Sequence, residues 1–196
     1  MVAARSALGL RPEHVVCTMS ARLLYDKGIM EYVHAAAALA ESCAEARFLL
    51  VGEPDSGNPK SLTEADLALI DGIGNVIRAG WRDDMDLIWN LSDVAVLPSY
   101  REGLPMSLQE ALASGLPVVT TDVPGCREIL AGGHHGLLVP AGNMPALAEA
   151  MRQLIQSPAL RQQLGEAARR KAEQDFDGET IATRHLELYA RLLADE

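Results

Sequence analysis

Short apolar runs alternate with longer amphipathic stretches along almost the whole chain, and this rhythm limits the fold more than any other feature. Residues 14–20, 47–51, 76–79, 94–97, 118–121 and 137–139 read as six strands. Helical stretches separate them at 28–44, 62–71, 84–91, 105–114 and 126–130, and three more close the chain at 144–156, 158–174 and 178–193. Apolar strands joined by helical crossovers form a parallel sheet that must be covered on both faces. The expected fold is one α/β domain over residues 1–196: a doubly wound, six-stranded parallel sheet in the order 3-2-1-4-5-6, with helices on both faces. In that order the chain reverses between strands one and four, and ligands bind beyond the carboxyl ends of those two strands. The loops there are 21–27 and 99–105, so the topology predicts that Arg22, Lys27 and Glu102 meet although they are far apart in sequence.

Composition narrows the class of partner. Of the 196 residues 48% are hydrophobic and only 4% aromatic, which suits helices packed on a sheet better than a β-sandwich. The formal net charge of −10 repels nucleic acid and anionic lipid, so neither is expected as a direct partner. Any bound phosphate must sit in a local positive pocket against this field. Three scattered cysteines (Cys17, Cys43, Cys126) form no disulfide framework and no metal spacing, which points to a reduced, cytoplasmic protein. No apolar run approaches the ~20 residues that cross a bilayer. The first dozen residues read as a linker end or short helix, 53–61 as a Pro/Gly/Asn loop, and 132–136 as a turn.

The chemistry is concentrated where the fourth strand ends. An apolar run stops at Pro98, and the polar loop that follows holds Glu102 and Gly103. Pro105 is expected at the first helical position, and the helix carries Glu110 on its second turn. A helix N-terminus after a strand offers unpaired amides to a phosphate. Carboxylates on either side suit a ligand that also has many hydroxyls, which is the description of a nucleotide-sugar. Arg22 and Lys27 follow the first strand and supply the cations that a diphosphate needs, Arg as a fork and Lys as a point charge. Read singly, all four could be ordinary surface residues; their convergence at the switch point favours the site. Paired carboxylates also serve glycoside hydrolysis, but that chemistry needs no phosphate cradle. Asp84-Met85-Asp86 resembles a metal-binding Asp-x-Asp, yet it reads better as acids capping a helix start. His134 and His135 are adjacent and cannot share a metal on regular structure, and the apolar stripe over 186–193 reads as packing. No Gly-x-Gly-x-x-Gly follows the first strand, and no Gly-rich Lys-Ser/Thr loop is present, so nicotinamide, flavin and ATP enzymes are not indicated.

Together these residues resemble the C-terminal, donor-binding, Rossmann-like domain of the family 4 retaining glycosyltransferases of GT-B architecture. Arg22 to Gly28 is similar to that family's Arg-x4-Lys-Gly, and Glu102 and Glu110 to its Glu-x7-Glu. Residues 111–119, 122–125 and 136–140 follow the family pattern, and 51–59 is similar to the subgroup that builds bacterial capsule and lipopolysaccharide. Many relatives carry a glycine where this chain has Ala21, which leaves less room beside the phosphate. The resemblance implies that Arg22 and Lys27 bind the donor diphosphate. Glu102, with the amides of Gly103, Leu104 and Met106, holds sugar and phosphate; Glu110 holds the ribose; and the backbone near Trp81 and Arg82 meets the base.

The implied reaction moves a hexosyl or N-acetylhexosaminyl group from a UDP-linked donor to an acceptor hydroxyl with retained configuration, in surface polysaccharide synthesis. Arg22, Lys27 and Glu102 are the expected catalytic residues, with no cofactor and no metal required. The resemblance also implies an N-terminal domain of similar size that holds the acceptor; this chain is expected to be its separated partner. By itself the chain is expected to bind UDP weakly and transfer nothing, and any membrane contact falls to the other domain or a lipid-linked acceptor. Two other classes share these features: a nucleotide-sugar 2-epimerase of the same architecture, and a non-catalytic sugar-nucleotide binding module.

Overall fold

The computed structural model describes residues 2–130 and 134–194. Its strands are β1 (Val15–Ser20), β2 (Ala46–Val51), β3 (Val76–Gly80), β4 (Val94–Leu97), β5 (Val118–Thr121) and β6 (Gly136–Val139). All pair in parallel in the order β3-β2-β1-β4-β5-β6. The predicted order is therefore the observed one, with the reversal between β1 and β4. The helices are α1 (Val2–Ala7), α2 (Ile29–Ala38), α3 (Glu64–Asp71), α4 (Met85–Leu91), α5 (Met106–Ala113), α6 (Pro124–Ile129), α7 (Met144–Gln156), α8 (Pro158–Asp175) and α9 (Gly178–Ala194), with a 3-10 turn at Tyr25–Lys27.

Side chains alternate along each strand, so one strand feeds two cores. Cys17, Met19, Phe48 and Leu50 enter the larger cluster with residues of α2, α5 and α7, while Val16, Leu49 and Val51 meet Ile88 and Leu91 of α4 on the opposite face. Each aliphatic side chain buried this way contributes about 1.5–3 kcal/mol. Tyr32 stacks edge-on against Phe48 at 5.9 Å and sends its hydroxyl to the Cys17 carbonyl at 2.7 Å, which satisfies its one polar group. On the far side α1 is pinned by Arg5, whose guanidinium donates to the carbonyls of Leu91 (3.0 Å) and His14 (2.5 Å).

The structure departs from the sequence reading in several places. The helix expected over 28–44 stops at Ala38, where the last amides shift to tighter bonds and the Asn75 amide donates to the Ala36 carbonyl at 2.7 Å. Pro105 is the cap before α5, with ψ 117°, and Met106 is the first helical residue. Asp84 precedes α4 but does not cap it; its carboxylate grips Arg82 instead. The stripe on α9 is not packed: every residue over 181–193 is exposed, Leu186, Tyr189 and Leu193 by 68%, 58% and 73%. Arg184 of α9 reaches back to Gln174 and Asp175 at the end of α8, and the apolar side of α9 stays uncovered among the described residues. The turn expected over 132–136 falls partly outside the described residues; His134 is exposed and His135 buried. Cys17, Cys43 and Cys126 are free and buried, and no described helix is long and apolar enough to cross a membrane.

Candidate functional site

Two loops leave the sheet at the switch point, and the backbone ties them together. After β1 the chain turns through Arg22 and the 3-10 turn; after β4 it enters 98–105. The Tyr100 amide and the Ser99 hydroxyl both donate to the Asp26 carbonyl, at 2.9 and 3.0 Å. The Thr121 hydroxyl at the end of β5 donates to the Ser99 carbonyl, and the Tyr100 hydroxyl reaches Glu31 at 2.6 Å.

Two glycines allow this closeness. A Cβ on Gly28, which has φ 74°, would lie 2.1 Å from the Pro98 carbonyl oxygen. One on Gly125 would lie 2.1 Å from the Gly103 carbonyl oxygen. Both contacts are impossible for any other residue without moving the Glu102 loop.

Across this junction Lys27 Nζ donates to Glu102 Oε1 at 2.6 Å, with the two side chains only 22% and 9% exposed. Beside them α5 begins without a side-chain cap. The amides of Gly103, Leu104, Met106 and Ser107 have no protein partner among the described residues. Arg22, Lys27, Glu102, Pro105 and Met106 line one hollow of about 190 Å³. The convergence of Arg22, Lys27 and Glu102 is thus observed, with one difference: the Arg22 guanidinium is turned to Asp55 at 2.8 Å. Asp55 lies on the loop after β2, the neighbour of β1 in the sheet, so strand order places an acid beside Arg22. Strand order brings the acids of 53–61 near Arg22, and the course of that loop decides that Asp55 is the one it meets.

A larger hollow of about 480 Å³ opens at the ends of β1, β2 and β3 and shares Ser20, Ala21 and Arg22 with the first. Trp81, 69% exposed, and Arg82 stand on its rim. Arg82 is held by Asp84 through two bonds of 2.7 and 2.6 Å, which raises the guanidinium's pKa and lowers the carboxyl's below the usual carboxylate range. Met106, which lines the smaller hollow, is 71% exposed, and Leu104 on the loop before it is 48% exposed.

Glu110 is set apart from Glu102. It stands on the exposed side of α5 and lines a third hollow of about 400 Å³ with Met85, Asp86 and Trp89. Its Oε2 accepts from the buried Trp89 indole N–H at 3.0 Å. Nothing in the residue pattern points to this contact, because a tryptophan in an amphipathic stretch reads as core.

A junction where two cations, their two carboxylate partners and free amides meet can hold an anion once the cations exchange partners and, next to it, hydroxyls. The family model for glycosyl transferases group 1 matches residues 3–171. The chain is 35% identical, over 91% of its length, to the N,N'-diacetylbacillosaminyl-diphospho-undecaprenol alpha-1,3-N-acetylgalactosaminyltransferase of Campylobacter jejuni, of which the match spans 45%. It is 29% identical, over 82% of its length, to the capsular polysaccharide biosynthesis glycosyltransferase CapM of Staphylococcus aureus, of which the match spans 42%. The chain therefore spans less than half of these curated relatives. Among solved structures, sucrose-phosphate synthase from Thermosynechococcus elongatus superposes with a TM-score of 0.83 at 29% identity, over all of this chain and 50% of that one. Anabaena HepE in complex with UDP shares the fold, with a TM-score of 0.86 at 24% identity over 97% of this chain and 52% of that one.

Proposed function

The chain belongs to the group 1 glycosyl transferases, and from that premise we propose that it is the donor-binding domain of a retaining enzyme that uses a UDP-sugar. The observation that carries this reading is the Lys27–Glu102 pair at 2.6 Å beside the uncapped start of α5. The diphosphate lies in the smaller hollow, where Lys27, Arg22 and the α5 amides meet its charge. To do so Arg22 exchanges the Asp55 carboxylate for phosphate. Glu102, released from Lys27 in the same exchange, accepts hydroxyls of the donor sugar. The base lies in the larger hollow against the backbone at Trp81 and Arg82, and Glu110 receives the ribose.

In the reaction the acceptor oxygen bonds to the anomeric carbon on the face that the diphosphate leaves. The bond from that carbon to the phosphate oxygen breaks, and the phosphate oxygen takes the acceptor's proton. Negative charge grows on the leaving diphosphate, and donors already in place there lower the barrier most. Arg22, Lys27 and Glu102 are the catalytic residues of this scheme, which calls on protein cations rather than a metal or cofactor.

A hexosyl or N-acetylhexosaminyl donor, surface polysaccharide as the product, and a lipid-linked acceptor fit the names of the Campylobacter and Staphylococcus relatives. An acceptor-holding N-terminal domain fits the share of those relatives that the chain spans. It would also carry any contact with the inner face of the membrane. Calorimetric titration with UDP tests the reading: the chain binds UDP, Glu110→Ala weakens the binding, and a titration without heat for the unmutated chain refutes it.

A further inference from the structure

We propose that Trp89 is a positioning residue for the nucleoside: its indole N–H pins one oxygen of Glu110 and so presents the other to the ribose hydroxyls. The inference rests on the nucleotide-sugar reading above and deepens it.

Trp89 is 2% exposed on α4, and its ring nitrogen can only donate. Glu110 Oε2, 3.0 Å away, is the partner of that donor, and no other contact holds the Glu110 carboxylate among the described residues. A buried donor left unpaired is costly, so the indole holds the carboxylate to one arrangement. Glu110 would otherwise be a mobile, exposed side chain on the second turn of α5, and ordering it on binding would weaken the complex. The place is right for a ribose. Met85 lines both the hollow assigned to the base and the hollow that holds Glu110 and Trp89. A sugar that joins that base to phosphates near Lys27 passes over Met85, beside the oxygen of Glu110 that Trp89 leaves free.

The test compares UDP with 2′-deoxy-UDP by calorimetry on the unmutated chain, Trp89→Phe, Glu110→Ala and the double variant, each checked for a single cooperative thermal transition. The unmutated chain should prefer UDP about tenfold, the scale of one hydrogen bond to a charged group. Trp89→Phe keeps a buried ring but lacks the donor, and should cut the preference to about threefold or less. Glu110→Ala should abolish it, and the double variant should match Glu110→Ala, since the two residues act as one unit. A full preference in Trp89→Phe overturns the inference and leaves the nucleotide reading intact. An unchanged preference in Glu110→Ala, or no UDP binding by the unmutated chain, overturns the reading beneath it and the inference with it. If Trp89→Phe does not fold, the indole N–H resonance of Trp89 in the unmutated chain decides. It should move more with UDP than with 2′-deoxy-UDP, and equal movement overturns the inference.

Discussion

Removing the Lys27 ammonium is a perturbation whose cost can be worked from the geometry. The pair with Glu102 is 2.6 Å long, and the side chains are 22% and 9% exposed. A fully exposed pair contributes ~0–1 kcal/mol, whereas breaking a buried one costs ~3–5 kcal/mol because the surviving charge stays desolvated without a partner. Glu102 is nearly buried and Lys27 partly so, which sets Lys27→Ala between these limits, at about 2 kcal/mol. In a domain of this size that lowers the thermal midpoint by about 4–8 °C. Glu102→Gln removes the stranded charge, so adding it to Lys27→Ala should restore part of the loss instead of deepening it. The assay is a double-mutant cycle read by thermal and urea unfolding, with an expected coupling of about 1 kcal/mol or more. If Lys27→Ala unfolds within about 1 °C of the unmutated chain, or if the two losses simply add, the ion pair does not tie the loops and the account of the junction fails.

Two further outcomes follow from other parts of the fold. Gly125→Ala places a Cβ 2.1 Å from the Gly103 carbonyl oxygen; it should cost ~1–3 kcal/mol in urea unfolding and weaken UDP binding, because the Glu102 loop must move. Wild-type stability with full UDP affinity would show that the loop has room. Burial, with Arg47 and Arg11 nearby, holds the His14 imidazole below its ordinary value of 6.5. As pH falls through 6.5 the unfolded chain takes up a proton that the folded chain resists, so this contribution is whole above 6.5 and declines below it. The thermal midpoint should therefore drop between about pH 7.5 and about pH 5.5, and drop less in His14→Gln. Equal slopes in the two proteins would contradict this.

The sheet was legible because its information is local and repeated. Each strand is a short apolar run, each crossover is amphipathic, and the order of a doubly wound sheet follows from few rules. From that order came the meeting of Lys27 and Glu102, which lie 75 positions apart. Less legible were contacts set by which way a side chain turns. Arg22 could be placed beside the hollow from topology, but its choice of Asp55 depends on the course of a loop with no periodic pattern. Acids favour the start of a helix, which is what the sequence suggests for Asp84, but a bidentate partner two residues away competes better than a single amide. The Trp89–Glu110 bond joins two neighbouring helices through polar atoms that hydropathy does not register. The apolar stripe on α9 is plain in the sequence and suggests packing, yet the stripe is exposed. Periodicity identifies a face that needs cover, and not the surface that covers it.

The central claim is that a diphosphate fits the junction of Lys27, Arg22 and the α5 amides. Parallel calorimetric titrations of the chain with UDP and with UMP test it most directly, since the ligands differ only by the phosphate nearest that junction. The account predicts UDP to bind about tenfold tighter or more, the scale of one charge-assisted contact. Equal affinities for the two would contradict it.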